Sequence, residues 1–403
     1  MKRMILMKKI NFFTFSFKKH ILPTIFCVFT ICLVLFSRQN LEAAKSGLSL
    51  WANAVVPSLL PFFIATELLG YTNITRTLGK LFSRIMRPLF NVPGEGAFAF
   101  IMGIISGYPM GAKIVTDFRE KGICTKVEGE RLLAFTNNSG PLFIIGTVGI
   151  SLFGDSQTGF LLFFTHILAC ISVGILFRFW KRNSTCKKSS EKFSVTNSSS
   201  SVQVNFSNLG EILAKSIMNG VQTVVMIGGF VMLFSVIISI LNNSHLLEFA
   251  SQCIKPFLSS IGIPSSFASA ILTGILELTN GVKQVASISI KTISINITLC
   301  AFLLGFGGFS VLLQVYSITS KSDVSIKAYL IGKLLQGTLA AIYTYLLLRY
   351  VPFLNLDLTP VFSNTATPLV ATNPSFFTFF CLALIGFVLL WKVCFSKRKK
   401  QIE

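Results

Sequence analysis

Charged residues are scarce in this sequence: Asp, Glu, Lys and Arg make up 13% of its 403 residues, against about 25% in a typical soluble domain. Histidine occurs only three times, and no G-x-S-x-G motif is present. No catalytic constellation emerges, so we predict that the protein is not an enzyme. The nine cysteines lack metal-ligand spacing and mostly lie in apolar segments. We therefore expect no disulfide framework, no metal site and no cofactor.

Acidic residues are the scarcer charged class, since 15 Asp and Glu stand against 36 Lys and Arg and the formal net charge is +21. In a soluble protein this excess would suggest nucleic-acid binding. Here the basic residues cluster just outside apolar segments, as the positive-inside bias of membrane proteins predicts. They are not interleaved with aromatic residues that would stack on bases. We therefore expect membrane lipid as a partner and no nucleic acid.

Hydrophobic residues make up 52% of the chain, and the mean hydropathy is +0.70. Crossing a hydrocarbon core takes about 20 apolar helical residues, and such stretches recur along the sequence. This pattern predicts an all-α polytopic membrane protein and excludes soluble enzymes and disordered chains. The predicted apolar segments are 21–36, 48–70, 97–116, 132–153, 159–180, 212–241, 264–283, 293–318, 325–350 and 375–396.

Composition also divides the chain into parts. Residues 181–208 are rich in Ser, Asn and Lys and carry too little apolar surface to fold alone, which predicts a flexible linker. Basic clusters place both termini and this linker in the cytoplasm and residues 351–374 outside. The parts are the N-terminus with an uncleaved first helix (1–45), a first repeat (46–180), the linker (181–208), a second repeat (209–350), an external loop (351–374), and a last helix with a basic tail (375–403).

The sides of the membrane assigned to the loops fix whether the number of crossings in each half is even or odd. Each half contains one apolar segment more than this number allows, so one segment in each half cannot cross the membrane fully. Breaks within the segments explain why. In the first half, residues 103–111 contain three glycines and a proline, and residues 137–141 read NNSGP. Such breaks are typical of re-entrant or unwound helices that line a cavity.

The two halves also resemble each other. Residues 85–90 (IMRPLF) match 253–258 (CIKPFL), and residues 111–113 (GAK) match 281–283 (GVK), at nearly conserved spacing. According to the distribution of basic residues, residues 85–90 begin on the cytoplasmic side of the membrane and residues 253–258 begin on the outside. We therefore predict inverted repeats with discontinuous transmembrane helices and re-entrant helical hairpins, which is an architecture of secondary transporters.

The broken segments carry the candidate binding residues. Ionisable side chains at membrane depth cost about 2.5–3.5 kcal/mol, which makes Lys113, Lys283 and Glu277 functional candidates; alternatively, the lysines extend from helix ends to water. Glycine-rich tips leave backbone N–H groups to face an anion, or they are ordinary turns. Glu277 is the predicted coupling group for a proton or sodium. The predicted substrate-binding residues are Ser106, Gly107, Tyr108, Pro109, Lys113, Asn137, Asn138, Ser139, Gly140, Thr279, Asn280, Lys283 and Gly307.

Three stretches, 57–63 (PSLLPFF), 86–94 (MRPLFNVPG) and 106–113 (SGYPMGAK), resemble the YlbJ type of sporulation integral membrane proteins, which carry the Gate, or nucleoside-recognition, module. The resemblance covers most of residues 45–350. It implies a fold similar to concentrative nucleoside transporters. It also implies a place in the bacterial cell membrane, specifically the outer forespore membrane, and transport of dipicolinic acid.

Dipicolinate is a small aromatic dianion, which would suit a site with Lys113, Lys283, Tyr108 and hairpin amides. A nucleoside is neutral and would not need both lysines. Transport of a nucleoside or another small solute, an intramembrane enzyme and a sporulation membrane scaffold stay open as alternatives. The sequence does not indicate an oligomeric state or choose the coupling ion.

Overall fold

The computed structural model describes residues 20–181, 208–289 and 293–350. Over these ranges the chain is helical and contains no strand, and they all belong to one compact unit, Met1–Asn355. The external loop 351–374, the last predicted span 375–396, the basic tail and nearly all of the linker lie outside the described residues.

The first half contains two π-helical segments among its α-helices. Its elements are α1 His20–Leu35, α2 Ser37–Leu50, π1 Trp51–Val55, α3 Val56–Gly70, α4 Ile74–Phe90, α5 Gly96–Ile105, α6 Met110–Glu120, α7 Lys126–Thr136, π2 Leu142–Leu152 and α8 Ser156–Phe177. The second half consists of α9 Leu209–Asn243, α10 Leu246–Ser260, a 3-10 turn Ser265–Phe267, α11 Ala268–Leu276, α12 Leu278–Ser287, α13 Ile293–Phe306, α14 Gly308–Thr319 and α15 Ile326–Tyr350.

Four helices in the described part of the chain are long and apolar enough to cross a membrane: α8, α9, α15 and the run Ser294–Thr319, which joins α13 to α14. The prediction that segment 159–180 spans agrees with the length and composition of α8. Helix α1 bends by 98° into the helix that follows. Residues 37–47, which hydropathy did not assign to a span, form most of α2, and that helix packs on α9.

Both halves arrange their elements in the same order. The series α4, α5, α6, α7, π2 and α8 is matched by α10, α11, α12, α13, α14 and α15. Each contact between the halves has an equivalent with the roles of the halves reversed. Helix α7 packs on α15, and its equivalent α13 packs on α8. Helix α6 packs on α14, and the equivalent pair is α12 and π2. Such reciprocal contacts are what a pseudo-two-fold relation between repeats produces. The predicted fold class, all-α with repeated halves, discontinuous helices and helical hairpins, is confirmed.

Glycines allow the helices next to the breaks to pack closely. A Cβ atom on Gly103 would lie 1.8 Å from the carbonyl oxygen of Thr136, and one on Gly111 would lie 2.2 Å from the same atom. In the second half, a Cβ atom on Gly281 would lie 2.0 Å from the Cα atom of Gly274. Gly111 is the residue that the sequence comparison paired with Gly281, and Gly103 and Gly274 precede them by eight and seven residues. The repeat therefore preserves the glycines, whereas the nearest backbone atom differs: the Thr136 oxygen of α7 in the first half and the Gly274 Cα atom in the second.

Helix α4 is amphipathic. Arg76, Lys80, Arg84 and Arg87 are exposed and recur at helical spacing along one face, whereas Met86 and Phe90 are buried. Arg87 Nη1 contacts Glu128 Oε1 at 2.9 Å, which ties α4 to the first turn of α7. This ion pair links α4 to α7 at the surface of the protein.

Candidate functional site

The breaks of both repeats meet around a small cavity of about 30 Å³. This volume holds about one or two water molecules, so a substrate requires the site to open. The first repeat contributes Gly107 and Tyr108 from the α5–α6 break and Gly140 from the α7–π2 break. The second contributes Glu277, Thr279, Ser310 and Gln314. The remaining lining residues are Val55, Ser58, Leu59, Phe143, Ile227, Val231 and Val311.

Glu277 occupies the break between α11 and α12 and caps the second of these helices. Its backbone is extended, with φ −142° and ψ 119°. The carboxylate accepts hydrogen bonds from the backbone N–H groups of Thr279, at 3.0 Å, and Asn280, at 2.7 Å. The residue is only 3% exposed. These contacts use N–H groups that a helix start leaves unpaired and place the negative charge at the positive end of the helix dipole.

The two breaks of the first repeat touch each other beside Tyr108. A Cβ atom on Gly107, whose φ is +77°, would lie 3.0 Å from the backbone nitrogen of Gly140. Ser106, the residue before this contact, forms a buried hydroxyl–hydroxyl hydrogen bond of 2.7 Å with Thr66 on α3. The first break is thereby held between α3 and the second break, with Tyr108 facing the cavity.

Residues 137–139 connect the first repeat to the second and do not line the cavity. Asn137 Nδ2 donates to the Tyr329 hydroxyl at 3.0 Å, and Gln336 Nε2 donates to Asn138 Oδ1 at 2.9 Å. Ser139 Oγ donates to the carbonyl of Leu304 at 3.4 Å. We call residues 137–139 the polar tip. These three hydrogen bonds join the polar tip to α13 and α15, so they link the first repeat to the second.

Neither predicted lysine lines the cavity. Lys113 Nζ pairs with Glu67 Oε1 at 2.5 Å, and Asn219 Nδ2 donates to Glu67 Oε2 at 3.0 Å, which joins α6, α3 and α9. Lys283 is exposed on α12. No ion pair joins Lys283 to Glu277 within residues 20–181, 208–289 and 293–350. The structure therefore does not bring the two lysines together at the cavity, because the helical phase of α6 and α12 turns these side chains elsewhere. That both lysines bind an anion stays a prediction.

The structure thus brings together part of the predicted set. Gly107, Tyr108, Gly140, Thr279 and Glu277 meet at the cavity. The other predicted residues lie outside its lining: Ser106, Pro109, Lys113, Asn137, Asn138, Ser139, Asn280, Lys283 and Gly307. Gly307, with φ +84°, forms the break between α13 and α14.

Sequence reasoning missed two groups of polar residues. Ser310 and Gln314 lie one turn apart on α14 and face the cavity. Lys333, on α15, is 4% exposed and contacts the polar tip. Lys333 lies inside the predicted span 325–350, so the rule that selected Glu277, an ionisable residue at membrane depth, would also have found it.

Comparisons with known proteins agree with this architecture. The Gate family, described as nucleoside recognition, matches residues 53–179 and 224–322. The sporulation integral membrane protein YlbJ of Bacillus subtilis (strain 168) is 37% identical over 335 residues, covering 81% of this chain and 82% of the relative.

Solved structures of CNTnw are similar at lower identity. CNTnw in an inward-facing substrate-bound state is 14% identical, with a TM-score of 0.46, over 80% of this chain and 84% of that chain. A CNTnw variant in the intermediate 1 state is 15% identical, also with a TM-score of 0.46, over 82% and 84% of the two chains.

Proposed function

This chain belongs to the Gate family and to the YlbJ type of sporulation integral membrane proteins, and we propose that it transports dipicolinate across the outer forespore membrane. The observation that supports transport is the cavity formed by broken helices of both repeats. Broken helices that meet at the interface of two repeats are the usual place for substrate in secondary transporters. The sporulation relative supports a role in spore formation.

The cavity lining suits a small planar ligand with hydrogen-bonding edges. Tyr108 and Phe143 supply aromatic faces, and Ser58, Thr279 and Gln314 supply polar groups. Mostly apolar walls with few polar groups are typical of sites that orient small molecules. Dipicolinate is planar and carries acceptor oxygens, so hydroxyl and amide donors can bind its carboxylates once the site opens.

The charge of the cavity lining determines under which condition an anion can bind. Glu277 is the acidic side chain of the lining, and no Lys or Arg of the described part of the chain contributes to that lining. A carboxylate next to an anionic substrate is repulsive in a site of low dielectric. Binding of dipicolinate therefore requires a proton or a sodium ion at Glu277, and this requirement would couple substrate movement to an ion gradient.

The same observation favours a second candidate, a nucleoside. A neutral ligand with ribose hydroxyls would donate hydrogen bonds to Glu277 without a compensating cation. The match to a nucleoside-recognition family supports this alternative. The two candidates differ in a measurable way, since transport of the anion needs a coupling cation at Glu277 and binding of the nucleoside does not.

Uptake into vesicles that contain only the purified protein tests the proposal. We expect labelled dipicolinate to accumulate under an imposed proton or sodium gradient, and labelled uridine to serve as the competing probe. Replacing Thr279 with Val keeps the shape of the side chain but removes a cavity hydroxyl. Losing one hydrogen bond of about 1 kcal/mol weakens apparent affinity about 5-fold.

Thr338→Val is the matched control, because Thr338 is exposed on α15. It should leave uptake unchanged. Saturable uridine uptake without dipicolinate uptake would replace the first candidate with the second. Absence of uptake for both probes from vesicles that contain folded protein would contradict both candidates.

A further inference from the structure

Lys333 lies in the interior of the protein, and no carboxylate among residues 20–181, 208–289 and 293–350 pairs with it. It is 4% exposed. Its Nζ atom donates to Gln336 Oε1 at 2.7 Å and to Asn138 Oδ1 at 3.4 Å, and it lies 5.8 Å from the centre of the Tyr329 ring. All three contacts are with neutral groups. A buried ammonium is normally paired with an anion, because removing it from water is costly.

The helices packed on α15 supply no compensating charge at this position. From α8, His166 and Cys170 face Lys333, and Tyr329 lies one turn away on α15. The other titratable groups of the packed helices make their contacts elsewhere. Glu130 and Arg131 of α7 bond to Trp180 and Lys181, Cys300 of α13 points to α12, and Tyr316 of α14 is exposed.

Hydrogen bonding also indicates that His166 is neutral. Gln336 Nε2 lies 3.3 Å from His166 Nε2 and 2.9 Å from Asn138 Oδ1, so the amide donates to both. His166 Nε2 then accepts, which leaves the ring proton on Nδ1. Within the described chain His166 Nδ1 has no hydrogen-bond partner. The cluster therefore contains one cationic group held by amide oxygens.

Asn138 connects this cluster to the cavity. It belongs to the polar tip, and Gly140, two residues later, lines the cavity and touches Gly107. A substrate that enters a cavity of about 30 Å³ must displace the breaks that surround it. Any withdrawal of the tip removes the acceptor Asn138 Oδ1 from Lys333. An ammonium that loses an acceptor in a dry site favours the neutral amine.

We propose that Lys333 is a proton-binding site of the transport cycle, loaded while the polar tip is in place and unloaded when the tip moves. Unloading breaks one N–H bond: the ammonium gives its proton to water and keeps the electron pair as a neutral amine. Loading reverses this step from water on the other side. The proposal rests on the proposed transport function. It assigns the coupled proton to Lys333, which leaves sodium as the cation at Glu277.

Hydrogen exchange of the polar tip tests the site without any substrate. In purified full-length protein, we expect backbone exchange of residues 137–139 to accelerate by about 10-fold or more as pH rises, after correction for the intrinsic pH dependence of exchange. This factor corresponds to one hydrogen bond to a charged group. Lys333→Gln, which is always neutral, should exchange quickly at every pH. Lys333→Arg, which is always charged, should exchange slowly.

Lys327→Gln is the matched control, because Lys327 is exposed on the same helix, and it should behave as wild type. If Lys333→Gln retains the wild-type pH profile, the proposal is overturned. Should Lys333→Arg not fold, the comparison of Lys333→Gln with Lys327→Gln still decides the question.

A second measurement separates this proposal from the transport proposal. Vesicles with a pH-sensitive dye inside receive dipicolinate, and both label uptake and lumen pH are recorded. Wild type should move protons with the substrate, whereas Lys333→Gln should exchange labelled dipicolinate without a pH change. Proton movement retained by Lys333→Gln would overturn the Lys333 assignment. Absence of dipicolinate uptake by wild type would contradict the transport proposal. The hydrogen-exchange measurement would then still test the role of Lys333.

Discussion

Replacing Glu277 with Gln separates the charge of this residue from its shape. The carboxylate accepts backbone hydrogen bonds at 3.0 Å and 2.7 Å from the first turn of α12. Bonds to a charged group contribute about 1.5–3 kcal/mol each. Gln keeps one carbonyl acceptor and places an N–H₂ group against the other N–H donor. We therefore expect Glu277→Gln to lower the free energy of unfolding by about 2 kcal/mol.

Glu277→Asp is the matched control for capping. Asp is among the preferred N-cap residues, so it should keep most of the stability, with a loss below about 1 kcal/mol. Its carboxylate is one methylene shorter and withdraws from the cavity. Thermal unfolding in detergent measures the capping contribution, and protein-normalised vesicles measure binding and gradient-driven accumulation separately.

If Glu277 is the coupling group, Glu277→Gln should bind and exchange dipicolinate but fail to accumulate it. Neutral Gln resembles the protonated acid, so anion binding survives while the ion-dependent step does not. Full accumulation by Glu277→Gln would refute the coupling role. Full accumulation by Glu277→Asp together with low abundance of Glu277→Gln would show that the carboxylate acts only as a helix cap.

The remaining predictions concern the packing around the site. Lys113→Met leaves the Glu67 carboxylate, 15% exposed, without its cation; thermal melts should show a loss of about 1–3 kcal/mol, and adding Glu67→Gln should recover most of it. Gly111→Ala brings a Cβ atom to 2.2 Å from the Thr136 oxygen and should abolish folded protein in size-exclusion profiles, whereas Gly146→Ala, with its nearest atom at 4.0 Å, should be tolerated. A hydrogen bond from Arg119 lowers the pKa of Asp323, so this carboxylate stabilises the fold above its unfolded pKa and loses that effect as pH falls through the lowered folded value. The difference in melting temperature between wild type and Asp323→Asn should therefore shrink on acidification, and a constant difference would contradict this reasoning.

Much of the fold was predictable because its signals are local. Glycine and proline at residues 106–111 interrupt helix formation wherever the chain is placed, and the structure ends α5 and begins α6 there. The similar spacing of Gly103 and Gly111 and of Gly274 and Gly281 is also visible in the sequence. A Cβ atom at Gly103, Gly111 or Gly281 would collide with backbone, and one at Gly274 would collide with the Leu303 side chain. Helix breaks and close-packing glycines can therefore be predicted from the sequence.

The site was predicted only in part because its composition depends on helical phase. Tyr108 and Lys113 lie five residues apart in one motif, yet the first faces the cavity and the second pairs with Glu67 on α3. The spacing does not specify which neighbour each face will meet. Lys333 shows the same limit, since Asn138, nearly two hundred residues earlier, becomes its acceptor only through packing of the two repeats.

The membrane class, the positions of the breaks and the internal repeat follow from the amino-acid sequence, because hydropathy, helix-breaking residues and close-packing glycines act over a few residues. Tertiary structure alone decided that Glu277 would cap α12 and line the cavity, that Lys283 would face outward, and that Lys333 would be buried against Asn138. These outcomes depend on how each helix is rotated against its partners. That rotation is set by the summed packing of both repeats, which is a property of the assembled fold.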